Sequence, residues 1–399
     1  MERHVSPYNQ PLELKGTLLL CDVTLREGEQ TAGVSFTQQD RIGLVKCLEA
    51  ARFPQVQLYN TWHGDEVDEK ALAVNAELCA LPRSYCKTEV LNFNTTNMDA
   101  LKQMIDLQAQ IKPDIIHASF PLHSASETEL AEREYRIQET ASYIASKNIQ
   151  CNISLLDSTR SDPVILSRMV KAAASAGAAR IRLADTVGIA EPGGIEVMVR
   201  TAAKATQGTS AIIGIHTHND FGLGLADALA GLRGGALLVD GSVNALGERC
   251  GNASLIEIVM ALEALYGIPT GIDISKLMEL SQYIAQISGI PVPYNTPVVG
   301  KYAYSDSLAK HIVLSIRNPF AVQGIRPETF GGRRIAFLSK NLSDEAIFLL
   351  GKRQGLQLTP SDCKTLYQAI CTKTITQKGT IFTEEDLPAI AKELHLGTE

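Results

Sequence analysis

Eight times before about residue 265, the chain repeats a short β-branched or apolar run followed by a longer amphipathic stretch, and this alternation constrains the fold more than any other feature. The runs read as strands at Thr17–Asp22, Gln55–Tyr59, Thr88–Asn92, Ile115–Ser119, Gln150–Leu155, Arg180–Ala184, Ala211–His216 and Leu238–Val243. Helical periodicity fills the intervals, and each helix is long enough for a right-handed crossover between parallel strands. Eight such units in about 250 residues predict an α/β fold, a (β/α)8 TIM barrel. A doubly wound open sheet would place a GxGxxG turn after the first strand, whereas the residues there are DVTLREGEQ, so the barrel is preferred.

Beyond the barrel, a helical pattern at Ile274–Ser288 leads into the Pro- and Gly-rich break Gly289–Gly300, followed by helical patterns at Asp306–Ile316, Ser343–Gly355, Ser361–Thr372 and Glu384–Leu394. The predicted organisation is an N-terminal arm (1–16), the barrel (17–270), a helix and linker (271–300) and small α-rich C-terminal subdomains (301–399). Charge narrows the partners. With 37 Lys and Arg against 44 Asp and Glu, the net charge is −7, which offers no footprint for nucleic acid or an anionic membrane. The N-terminus lacks the apolar run of a secretory signal, and no stretch of about 18 apolar residues occurs anywhere. The expectation is a cytoplasmic protein acting on small molecules. Its eight cysteines form no CxxC pair and are expected to be reduced thiols.

In such a barrel the chemistry gathers where strands end. After strand one, Arg26, Glu27, Glu29 and Gln30 crowd into a few residues. Strand seven ends in His216-Thr217-His218, and side chains two apart on a strand share a face, so both imidazoles can reach one cation. Two histidines suit Mn, Fe, Co or Zn, and Glu27 would add a carboxylate. After strand eight, the glycine-flanked loop Asn244–Ala253 offers Asn252 either as a further oxygen ligand or as a helix cap, and Asp185-Thr186 emerges from strand six. Taken singly, these could be a solvated loop, an incidental HxH and a cap; taken together, they converge on one mouth.

Four segments, DVTLREGEQTAGVSFT, LADTVGIAEPGG, HTHNDFGLGLADALAG and NALGERCGNASLIEIVMAL, resemble signature stretches of the DRE-type TIM-barrel metal enzymes in the homocitrate synthase and 2-isopropylmalate synthase branch. The resemblance runs from about residue 16 to about 355. It implies a barrel with small helical subdomains and a Claisen condensation of acetyl-CoA with a 2-oxo acid, dependent on a divalent metal (Mn, Mg, Zn or Co). Matched by position, Glu27, His216 and His218 are the implied metal ligands, with Asn252 a further one. Arg26 is the implied stabiliser of oxyanion charge, and Thr186 the hydroxyl that bonds the substrate carboxylate. The segment GKYAYSDSLAKH resembles the one that carries the family's catalytic histidine, here His311, which in the family reaches the other subunit. A homodimer with shared active sites is therefore implied.

The departures from that pattern cluster at the chemistry. Leu156 stands where the synthases have a catalytic glutamate, Val322 where a tyrosine is expected eleven residues after His311, and Gln57 where a glutamate is expected on strand two. The family's His-Glu-Ser-Gly run is Asp306-Ser307-Leu308-Ala309, which leaves proton transfer to His311, alone or with Asp306 or Tyr304, or else implies a reaction different from the parent one. Polar residues Gln30, Gln57, Tyr59, Asn60, Asn92, His117 and Asn152 are the candidate lining for the oxo acid, favouring a carboxylate- or phosphonate-bearing side chain over a branched aliphatic one. Asn152, however, lies where 2-oxoglutarate-specific homocitrate synthases tend to have arginine. The alternatives are packing substitutions in a drifted relative, a metal-dependent lyase or aldolase of the same superfamily, and a catalytically silent relative. The GERCGNA loop and the His311 segment favour the synthases, and retention of Arg26, Glu27, His216 and His218 argues against silence. The chain is too short for the regulatory domain of leucine-controlled isopropylmalate synthases, so feedback through such a domain is not expected.

Overall fold

The computed structural model describes residues 5–63, 66–92, 97–122 and 126–397. Strands β1 (Leu19–Asp22), β2 (Gln55–Gln57), β3 (Lys87–Asn92), β4 (Ile115–Pro121), β5 (Gln150–Leu156), β6 (Arg180–Asp185), β7 (Ile212–Thr217) and β8 (Leu238–Gly241) form a closed barrel. Each strand pairs in parallel with the next in the chain, and β8 closes on β1 with Leu19 opposite Leu238 and Asp22 opposite Gly241. Helices α1 (Gln38–Ala50), α2 (Glu69–Ala80), α3 (Met98–Gln110), α4 (Glu127–Ser146), α5 (Pro163–Ser175), α6 (Pro192–Ala205), α7 (Gly224–Gly234) and α8 (Leu255–Ala261) follow the strands in turn. Their starts are chemically marked. Thr37 with Asp40, and Ser126 with Glu129, each make a reciprocal capping box that satisfies otherwise orphaned backbone donors.

Alternation along the strands divides the barrel wall. Val56, Val90, Ile116, Ile153, Ile181, Ile213, Ile215 and Val239 are buried and form the apolar set. At the intervening positions stand Gln55, Gln57, Glu89, His117, Asn152, Arg180, Arg182 and Asp240, equally buried and bonded to one another across the barrel. A barrel interior is more usually packed with branched aliphatic side chains; here it also holds amide, imidazole and charged side chains.

Three local features depart from the sequence expectation. After β1 the chain forms a helical turn, Thr24–Glu27, and a 3-10 turn, Gly28–Gln30, rather than the solvated loop that these residues taken singly would allow. Asp22 starts this by accepting from the Thr24 backbone N–H (3.1 Å) and hydroxyl (2.7 Å), and the Thr24 hydroxyl accepts from Val243 N–H (2.9 Å), pinning the end of β1 to the end of β8. The helical periodicity after strand eight spans Leu255–Tyr266, but the chain is α-helical only to Ala261 and then widens into a π turn over Leu262–Tyr266. Asp306, expected to begin a helix, instead lies in the two-residue strand Ser305–Asp306, which pairs with Ile335–Ala336.

The chain divides into two compact units, 10–291 and a C-terminal one of 292–399 with residues through Asn9. Helix α9 (Leu277–Ser288) belongs with the barrel unit, held by side chains: Ser281 Oγ donates to Asn244 Oδ1 (2.6 Å) and Tyr283 Oη to the Asp40 carbonyl (3.1 Å). The C-terminal unit packs α10 (Ala309–Arg317), α11 (Asp344–Arg353), α12 (Pro360–Thr376) and α13 (Leu387–Glu393) around Ile312, Leu338, Ile347, Leu350, Leu366, Ile370 and Leu387. Among the described residues no helix is long and apolar enough to cross a membrane.

Candidate active site

At the C-terminal end of the barrel, Glu27, His216 and His218 bring one ligand atom each to within 4.8 Å of one another, all three buried. Glu27 is aimed by the helical turn after β1, His216 by the last residues of β7, and His218 by the extended bridge that it makes with Asn252. That bridge is tied on both sides: Asn219 N–H donates to the Gly251 carbonyl (2.8 Å) and Ala253 N–H to the Thr217 carbonyl (3.2 Å). Asn252 therefore reaches the cluster, with Nδ2 3.3 Å from His216 Nε2. Ser254, not Asn252, caps α8. Gly247 is required here, because a Cβ at that position would overlap Asn252 Oδ1.

The donor set passes a test of fit for a cation. Glu27 Oε2, His218 Nδ1 and Asn252 Oδ1 are buried with no hydrogen-bond partner. A buried polar atom left unpaired costs about 1–3 kcal/mol, and one on each of Glu27, His218 and the adjoining Asn252 makes sense if those side chains serve as ligands. A carboxylate oxygen, an amide oxygen and two imidazoles form the mixed oxygen and nitrogen set that suits a divalent first-row metal.

Arg26 lies beside this cluster. Its Nη1 pairs with Glu27 Oε1 and its Nε donates to Gln57 Oε1 (2.6 Å). Burial alone would raise the Glu27 carboxyl, but Arg26 and then His216 outweigh it and hold the group far below the usual carboxylate range. His216 Nδ1 is 2.9 Å from Asp240 Oδ2, which leaves Nε2 facing Glu27 Oε1 at 3.2 Å.

Of the predicted substrate contacts, Gln30, Tyr59 and Asn60 line a cavity of about 320 Å³ together with Arg26 and Glu29. Glu29 is committed to Arg41 through two contacts of 2.6 and 2.7 Å, and the Arg41 guanidinium lies 4.3 Å from the Tyr59 ring centroid, so this wall is braced. Gln57, His117 and Asn152 are instead gathered around Glu89 inside the barrel. Thr186 Oγ1 accepts from Asp157 N–H (2.8 Å), leaving the hydroxyl proton to donate. Asn92 ends β3, and its side chain lies outside the described residues. Leu156 closes β5, and His311 lies on α10 in the C-terminal unit, half-exposed, with Nδ1 3.8 Å from Asp306 Oδ1.

Residues 17–284 match the family model described as HMGL-like. The chain belongs to the HMGL-like family. Among curated relatives of this HMGL-like chain, a probable 2-isopropylmalate synthase of Ignicoccus hospitalis is 32% identical over 97% of this chain and 93% of its own length. Homocitrate synthase AksA of Methanocaldococcus jannaschii is 30% identical over 98% of this chain and 94% of its own. Among solved structures, the HMG-CoA lyase of Bacillus subtilis matches with a TM-score of 0.60 at 19% identity, covering 72% of this chain and 98% of the lyase. That likeness speaks for the barrel alone. The lyase is nearly used up on less than three quarters of the HMGL-like chain, whereas the synthases match it almost end to end.

Sequence reasoning missed the charged residues that brace this HMGL-like site: Glu89, Arg182 and Asp240 in the barrel, and Arg249, whose Nε bonds Asp220 Oδ1 (2.7 Å) while Nη2 reaches the Thr186 carbonyl (2.8 Å). The signal was present as ionisable residues at alternate positions of otherwise apolar strands. His117 within this network has a consequence for stability. Burial is the largest influence on its imidazole and, despite the attraction of Glu89, lowers its pKa to about 4, so the ring is neutral near pH 7. The unfolded chain, with an imidazole near 6.5, then binds more protons between those values. The stability this supplies is present above about pH 6.5 and is lost as pH falls toward 4, at up to about 1.4 kcal/mol per pH unit. Urea midpoints are expected to drop less between pH 6.5 and 5 for His117→Gln than for the unaltered chain; equal slopes would remove His117 from this role.

Proposed function

We propose that this chain is an acyltransferase that condenses acetyl-CoA with a 2-oxo acid, forming a 2-hydroxy carboxylic acid and free CoA. The observation that carries the reading is the convergence of Glu27, His216 and His218, with Asn252 beside His216 and Arg26 beside Glu27. Held by those four side chains, a divalent cation (Mn, Mg, Zn or Co) would supply Lewis acidity to the oxo acid's carbonyl.

The chain's own groups do the rest. The Arg26 guanidinium, kept in place by Gln57, meets the negative charge that develops on the keto oxygen as the new bond forms. Thr186, with its proton free, donates to the substrate carboxylate. The acetyl methyl gives up a proton, its carbon bonds to the keto carbon, the keto oxygen becomes a hydroxyl, and water then cleaves the thioester to release the CoA thiol. We assign the proton abstraction to His311 on the strength of the resemblance, acting in a cytoplasmic homodimer, because Leu156 and Val322 carry no transferable proton. The Gln30, Tyr59 and Asn60 wall supports an oxo acid with a polar or acidic side chain.

Purified protein supplied with Mn²⁺ and acetyl-CoA, and assayed for thiol release against 2-oxoglutarate, oxaloacetate, pyruvate, 2-oxoisovalerate and phosphonopyruvate, tests this reading. Release with one of the acidic members is expected; absence of release with all five would overturn it.

A further inference from the structure

The metal cluster does not stand alone, because His216 is held from behind by a fully buried chain of alternating charge. Asp240 projects from β8 with Oδ2 2.9 Å from His216 Nδ1 and 2.7 Å from Arg182 Nε. Arg182, 1% exposed, reaches across the barrel with its other end, placing Nη1 2.8 Å from Glu89 Oε1. Glu89 accepts from Gln57, and Gln57 in turn accepts from Arg26. Arg26 pairs with Glu27, which faces His216. The sequence of contacts therefore closes on itself through both the ligand set and the arginine proposed to serve the reaction.

Resting on the metal reading above, we propose that Asp240 is the positioning residue of this site. It fixes His216 with the proton on Nδ1 and the Nε2 lone pair aimed at the cation, and Arg182 holds Asp240 in place. Two physical arguments support this. An imidazole offers either nitrogen to a metal, and a carboxylate on one of them settles which, while making the other a better ligand. A carboxylate buried among strands would otherwise be free to turn away from the ring, and an arginine 2.7 Å from the same oxygen holds it there. Arg182 lies between two carboxylates, so its charge is matched without the histidine. A purely structural ion pair would not require Asp240 to offer the same oxygen to the imidazole.

The test is cation affinity rather than turnover. Metal-free chain is titrated with Mn²⁺ against a fluorescent chelator, and Asp240→Asn, which preserves volume but not charge, is expected to bind about 10- to 100-fold more weakly while retaining its far-UV circular dichroism. An Asp240→Asn variant that binds Mn²⁺ as tightly as the unaltered chain would overturn the inference and leave the metal site standing. An unaltered chain that binds no Mn²⁺ would overturn the site, and this inference with it. A second measurement needs no variant: in the zinc-loaded, ¹⁵N-labelled chain, the His216 ring is expected to carry its proton on Nδ1 and the metal on Nε2. The reverse assignment would also refute the proposal.

Discussion

His216→Ala is expected to remove bound cation and turnover together, with a loss in kcat/KM of more than about 10³-fold, the scale of several kcal/mol of lost charge stabilisation. His216 is the member of the cluster in contact with most of the others: Nε2 faces Glu27 and Asn252, and Nδ1 faces Asp240. Truncation removes a proposed ligand and also leaves Asp240 and Glu27 opposing each other across the gap, each with one buried oxygen already unpaired. Metal analysis of the purified variant and a thiol-release assay measure the two losses separately. A metal-free variant that still turns over would show that the cluster is incidental to the chemistry.

Arg26→Lys is expected to separate those two losses. A lysine keeps the positive charge near Glu27 but cannot hold Gln57 Oε1 with one nitrogen while pairing with Glu27 through another, as the guanidinium does. If Arg26 meets charge that develops only as the carbon–carbon bond forms, kcat should fall by about 10²- to 10³-fold with KM nearly unchanged, the pattern of a lost transition-state donor. Bound metal should stay near the level of the unaltered chain, because Glu27, His216, His218 and Asn252 all remain. Loss of cation parallel to the loss of activity would mean that Arg26 serves the ligand set rather than the reaction.

Much of this site was legible in the linear sequence, for identifiable reasons. The barrel was readable because strand and helix periodicities differ and alternate eight times. The HxH at His216 and His218 was readable because two residues on one strand share a face, and Asn252 because glycines flank it in a loop after the last strand. The turn that aims Glu27 was not, since four helical residues are too few to show a period and the hydrogen bonds that start it come from Asp22 and Thr24. The network behind His216 was also hidden. Glu89, Arg182 and Asp240 sit on β3, β6 and β8, and only the register of a closed barrel makes them neighbours. Gln57, His117 and Asn152 were recognised as polar, but it took Glu89 to show where their hydrogen bonds go.

Thiol release alone does not distinguish condensation from hydrolysis of the thioester, so the most direct measurement follows carbon. With Mn²⁺, a reactive 2-oxo acid and acetyl-CoA labelled with ¹³C in the methyl group, nuclear magnetic resonance should show the label in a CH₂ bonded to a hydroxyl-bearing carbon, in amounts equal to the CoA released. Label that appears only as acetate, or CoA release that proceeds without the oxo acid, would contradict the account.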